Sequence, residues 1–221
     1  MSLEKDSPTR VLTDYEIARA LKELPSWRQR SGSLVCAWSF ADSREAIDFL
    51  AIVAEAAERQ GHHPDVDWRW NTIFLSLTSH DVGSEITLRD LALATLLEFA
   101  AADCGAVAVP QRHQDVELVI QSADPGALEQ FWIDALGYRV GRDGVLRDPQ
   151  GRNPQLRFNT PTDKNAAGIV VEKYVSATSQ EQDQDQDQEP TERPGPGLLL
   201  DAEGNRFALR TDEQLDPPPF Q

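Results

Sequence analysis

The chain has 221 residues, 40% of them hydrophobic and 26% charged, with a formal charge of −16. Ten basic and 17 acidic residues up to position 110, and 11 and 20 beyond it, give −7 and −9, so neither half carries the basic surface that nucleic acid or an anionic membrane would require. The length suits two compact domains, the apolar runs are too short to span a bilayer, and Cys36 and Cys104 are too few for a disulfide framework, which together suit a soluble protein of a reducing cytoplasm.

Three helix starts follow in chain order from a short side chain with an acid three residues later: Thr13 with Glu16, Asp42 with Glu45, and Thr87 with Asp90. Apolar residues recur behind each at helical spacing, at Ile17, Ala20, Leu21 and Leu24, at Ile47, Leu50, Ala51 and Ala54, and at Leu91, Ala94 and Leu97, with Gly105 as a stop. Between the helices, Trp27 to Phe40 reads as two short strands about Ser31-Gly32, and Val66 to Ser79 is rich in aromatic and β-branched residues. The expected order is α-β-β-α-β-β-α, an α+β arrangement in which helices cover one face of an antiparallel sheet and leave the other free for a ligand.

Glycine, alanine and a proline in GAVAVPQRHQD, residues 105 to 115, mark a boundary between domains at about 1–108 and 112–212. In the second, Val116 to Gln121 reads as a strand, and Asp124-Pro125 opens a helix that Gly137 ends. Strands near 144–147 and 155–159 flank the turn DPQGR, and a further pair lies near 167–174 and 198–210. The Gln/Asp-rich tract at 177–197 has no apolar face to bury and reads as a solvated insertion.

Three of the four histidines, His62, His63 and His80, stand at the ends of GHHPDVDWRWNTIFLSLTSH. His63 and His80 are 17 positions apart, roughly 55 Å of extended chain at about 3.3 Å per residue, so they meet only if the chain folds back near Asn71. Alternation places Ile73, Leu75, Leu77 and Ser79 on one strand face and His80 on the other, more polar one.

Glu58 followed by GHHPD, then RWN, LTSHD and TLRDLALA, resembles the pterin-4a-carbinolamine dehydratases over about residues 10 to 105. The resemblance implies dehydration of 4a-hydroxytetrahydropterin to quinonoid dihydropterin, the step that recycles a tetrahydrobiopterin-type cofactor after a pterin-dependent aromatic amino acid hydroxylase. His63 and His80 are the expected acid-base pair, with His62 orienting or sharing that role, because a group titrating near neutrality can both give and take a proton. Substrate-binding positions carried over are Glu58, Pro64, Trp70, Ser79, Asp81 and Asp90, of which Asp90 also caps its helix with Thr87. Trp70 stands where tyrosine is common, and His80 to Asp90 is one residue longer than usual. The family implies no metal, no cofactor and a homo-oligomer. A noncatalytic pterin-binding or protein-interaction module is the alternative.

Residues 116–210, with VELVIQSADPGALEQFWIDALGY, LRDPQGRNPQLRF and LLLDAEGNRFALR, resemble the glyoxalase and bleomycin-resistance fold built from βαβββ modules. That family holds a divalent metal at positions occupied here by Asp115, Gly168 and Ala208, two of which have no ligating atom in the side chain, so a metal reaction is not expected there.

Overall fold

A computed structural model describes residues 7–141 and 143–160, and the backbone of strands 168–175, 198–200 and 206–211. The chain divides into two compact units, Met1–His113 and Gln114–Gln221. The Gln/Asp tract lies outside the described residues. Among the described residues no helix is long and apolar enough to cross a membrane.

The first unit runs α1 (Asp14–Leu21), β1 (Arg28–Arg30), β2 (Ser33–Ser39), α2 (Ser43–Gln60), β3 (Asp65–Arg69), β4 (Thr72–Leu77), α3 (Leu88–Asp103) and β5 (Val107–Ala108). This is the expected α+β order with one short strand added. The sheet order is β1-β2-β4-β3, all antiparallel, and β5 extends it along β2. Ser31 (φ 51°) and Gly32 (φ 82°) turn β1 into β2 with the paired positive φ values of a type I′ hairpin.

Each helix starts at its expected cap. Thr13 and Glu16 form a reciprocal capping box, as do Thr87 and Asp90, while the Asp42 side chain accepts from the Arg44 and Glu45 amides. Glu16 also binds Arg10 at 2.8 Å, and chiefly through that guanidinium its carboxyl is lowered from 4.5 to about 2. A depressed carboxyl stabilises the fold above its unfolded value and loses that contribution as pH falls through its folded value. The stability gap between the parent and Glu16→Gln is therefore expected to be full near neutrality and above about pH 4.5, and to close toward about pH 2. Denaturant midpoints measured across that range check this; a gap independent of pH would contradict it.

The helices bury one sheet face around Trp27, Leu34, Trp38, Phe49, Ile73, Leu75, Leu77, Leu93 and Leu97. Of the expected stripe on helix α2, only Leu50 packs against the core. Ala46, Phe49, Val53, Ala56 and Ala57 are buried, whereas Ile47 is 43% exposed and Ala51 and Ala54 are exposed. The helix is apolar on two adjoining faces, and the face that wins carries the aromatic ring, which buries the larger area. Phe49 packs edge-on to Trp38 at 5.5 Å and against Phe40 at 5.1 Å.

The opposite sheet face is not fully open. Beyond β5 the chain continues along β2, with the Val109 amide on the Ala37 carbonyl, and a 3-10 turn at Pro110–Arg112 brings Arg112 to Thr72 (3.0 Å) and the His113 ring to Phe74 (6.3 Å between centroids). Those residues belong to the first unit, and they cover surface that alternation alone leaves to a ligand.

The second unit comprises β6 (Gln114–Gln121), α4 (Pro125–Leu136), β7 (Arg139–Val140), β8 (Leu146–Arg147), β9 (Gln155–Asn159), β10 (Gly168–Val175), β11 (Leu198–Leu200) and β12 (Arg206–Thr211). Its first five elements form a βαβββ module, and the sheet order is β11-β12-β10-β6-β9-β8-β7. The segment 198–210 read as one strand is two, β11 and β12, paired antiparallel. In register, Asp115 lies opposite Tyr174, Gly168 opposite Gln121, and Ala208 opposite Glu172 and Leu198. The three family metal positions thus fall on separate rows of the sheet.

Candidate active site

The sequence places its histidines by closing two structures at one end of the first sheet. Helix α2 stops because Gly61 takes a left-handed conformation (φ 59°), and the His62 amide then donates back to the Ala57 carbonyl at 3.1 Å. This fixes His62 as the residue that turns inward at the helix end, leaving its side chain only 7% exposed. Pro64 follows half-buried and leads into β3. The hairpin β3–β4 reverses at Trp70-Asn71 with Arg69 opposite Thr72 and Asp65 opposite Ser76, a register that carries His63 toward Thr78 and His62 toward Ser79.

Each imidazole meets a carboxylate. His62 Nε2 lies 2.7 Å from Asp90 Oδ1, both side chains buried. His63 Nε2 lies 3.0 Å from Glu58 Oε1 in the last turn of α2, both exposed. Exposed His80 has Nε2 3.8 Å from Asp65 Oδ2 and Nδ1 3.3 Å from Ser84 Oγ. His80 is not on a strand as alternation suggests: β4 ends at Leu77 and His80 opens a 3-10 turn through Val82. Asp81, in that turn, is clamped by Arg89; this ion pair holds its carboxyl below its ordinary value, and His62 adds a lesser electrostatic contribution.

Not every expected position reaches this end. Trp70, 72% exposed with φ 51°, occupies the far turn of the hairpin, about seven residues and roughly 23 Å of strand from His63 at about 3.3 Å per residue. Within one chain it is therefore separated from the histidines. Ser79 and Asp90 are 1% and 0% exposed, so both support the site from beneath instead of facing a ligand. Asp65, Ser84 and Arg89 also join the constellation. Asp65 was legible as the last letter of GHHPD, and Arg89 as the neighbour of the Asp90 cap; nothing in the sequence marks Ser84.

Among the described residues no three His, Cys, Asp or Glu side chains gather closely enough to hold a metal ion. The arrangement instead offers two accessible imidazoles, each beside a carboxylate, next to a third held rigidly below. Such groups can deliver one proton and accept another without large rearrangement.

The profile of the Pterin 4 alpha carbinolamine dehydratase family matches residues 10–100. Relatives from Thermomicrobium roseum and Nocardia farcinica, both carrying that dehydratase name provisionally, are each 45% identical, over 86 and 91 residues, which is 39% and 41% of this chain and 91% and 94% of theirs. The chain belongs to the pterin-4-alpha-carbinolamine dehydratase family. His62, His63 and His80 all lie in the part of the chain that this dehydratase family shares. A crystal structure titled as a transcriptional coactivator/pterin dehydratase from Brucella melitensis aligns with 42% of this chain and 99% of its own, at 26% identity and a TM-score of 0.40. Residues 117–210 match the glyoxalase-like domain, so the dehydratase-family unit is followed by a second, unrelated module. In that module the nearly buried Glu117 is held by Arg157 Nε at 2.6 Å.

Proposed function

We propose that the first unit dehydrates a 4a-hydroxytetrahydropterin to quinonoid dihydropterin by imidazole acid-base catalysis. The observation that carries this reading is the gathering of His62, His63 and His80 at one end of the β3–β4 hairpin, each with a carboxylate within 4 Å. In the reaction the C4a–O bond breaks as a proton from one imidazole reaches the departing hydroxyl. The N5–H bond breaks as a second imidazole takes that proton, and its electron pair closes the C4a=N5 double bond; water and quinonoid dihydropterin leave. His63 and His80 are the exposed pair suited to these transfers, while His62 holds the substrate in place. The substrate would be supplied by a pterin-dependent hydroxylation that leaves oxygen at C4a, such as that of aromatic amino acids.

Binding is tested with a stable reduced pterin titrated into the full chain labelled at histidine nitrogen. Resonances of His62, His63 and His80 should shift together in a saturable manner. Saturable binding that leaves His62, His63 and His80 unmoved, or no binding at all, would overturn the reading.

A further inference from the structure

Asp90 does two tasks with its two oxygens. Oδ2 accepts from the Thr87 amide (2.7 Å), the Thr87 hydroxyl (3.0 Å) and the Ser79 hydroxyl (2.9 Å), while Oδ1, among the described residues, meets only His62 Nε2 at 2.7 Å. Thr87 Oγ1 also accepts from the Arg89 amide at 3.2 Å and lies 2.8 Å from Ser79 Oγ. Thr87, Asp90, Ser79 and His62 are all buried. The same carboxylate therefore closes the capping box of α3 and orients an imidazole of the candidate site.

From this we infer that the α3 cap sets the tautomer of His62, with Ser79 and Thr87 as positioning residues that act through Asp90. Three donors converging on Oδ2 mark an ionised carboxylate and leave no room for an acid proton there. The proton between Oδ1 and Nε2 accordingly belongs to His62. Whenever that ring is neutral, Nδ1 carries the lone pair, and no hydrogen bond joins Nδ1 to any described residue. Resting on the dehydratase reading above, the consequence for substrate is specific: His62 presents an acceptor to an N–H edge of the pterin, and the two exposed imidazoles are left for proton transfer.

Asp90→Asn gives a sharp test, because the Thr87 amide can only donate. The new amide oxygen must stay on that side, its NH2 must face His62 Nε2, and the neutral ring must move its proton to Nδ1. In histidine-labelled full chain, long-range proton–nitrogen correlation spectra should show the His62 Nε2 protonated in the parent and Nδ1 protonated in Asp90→Asn, with dehydration slowed about 10- to 100-fold, as for other groups that orient a working histidine. Ser79→Ala leaves the Thr87–Asp90 bonds in place. It should make the His62 Nε2–H exchange faster with solvent, and Ser79→Thr should restore slow exchange. A parent spectrum with the proton on Nδ1, or a folded Asp90→Asn with an unchanged tautomer, would overturn the inference. If Asp90→Asn does not fold, the parent tautomer and the Ser79→Ala exchange rate decide it. Because the spectra do not depend on turnover, the expected tautomer without dehydration would count against the dehydratase reading alone, and the reverse result against the cap alone.

Discussion

His63→Ala and His80→Ala are each expected to slow dehydration of a 4a-hydroxytetrahydropterin by about 10²- to 10⁴-fold, the contribution that a positioned acid or base usually makes. Both rings are accessible, and both partners, Glu58 and Asp65, are themselves exposed, so truncation neither opens a core cavity nor strands a buried charge. The unfolding midpoint should accordingly stay within about 0.5 kcal/mol of the parent. Stopped-flow rates alongside circular dichroism check both parts. Two folded variants with parental rates would remove these imidazoles from the chemistry.

Trp38→Ala should cost about 3–5 kcal/mol, because a large buried ring leaves a cavity that its neighbours cannot close. Trp38 is 2% exposed and sits edge-on between Trp27 and Phe49, each at 5.5 Å, joining β2 to α2 at the centre of the core. Ile47→Ala, on the outward face of α2, should cost little. Denaturation of the two variants followed by circular dichroism compares them directly. A costly Ile47→Ala with a tolerated Trp38→Ala would mean that α2 presents the other face to the sheet.

That contrast shows where sequence reasoning reaches its limit. Local chemistry was legible: a threonine and an acid three residues on announce a helix start, Gly61 announces its end, and 17 residues between two histidines require a hairpin if they are to meet. The facing of α2 was not, since Ile47, Leu50, Ala51 and Ala54 make as regular a stripe as Ala46, Phe49, Val53 and Ala57. Only the room beside Trp38 and Phe40 selects between them. Residues 107–113 were equally opaque, because pairing of two residues with β2 is decided by a free sheet edge and not by any pattern in VAVPQRH. In the site, Asp90 was legible as a cap and as a position of the family's site, but nothing in the sequence joins its second oxygen to His62, 28 positions away. Trp70 lies between the histidines in the sequence yet is carried to the far turn by the same hairpin that gathers them.

The reading of this chain as a catalyst stands most directly on one rate. Synthetic 4a-hydroxytetrahydropterin mixed by stopped flow with the intact protein should lose water to quinonoid dihydropterin faster than in buffer, in proportion to protein concentration. The rate should saturate with substrate and fall on substitution of His63 or His80. A pterin that binds at these histidines but dehydrates no faster than in buffer would contradict the account and make the unit a binding module.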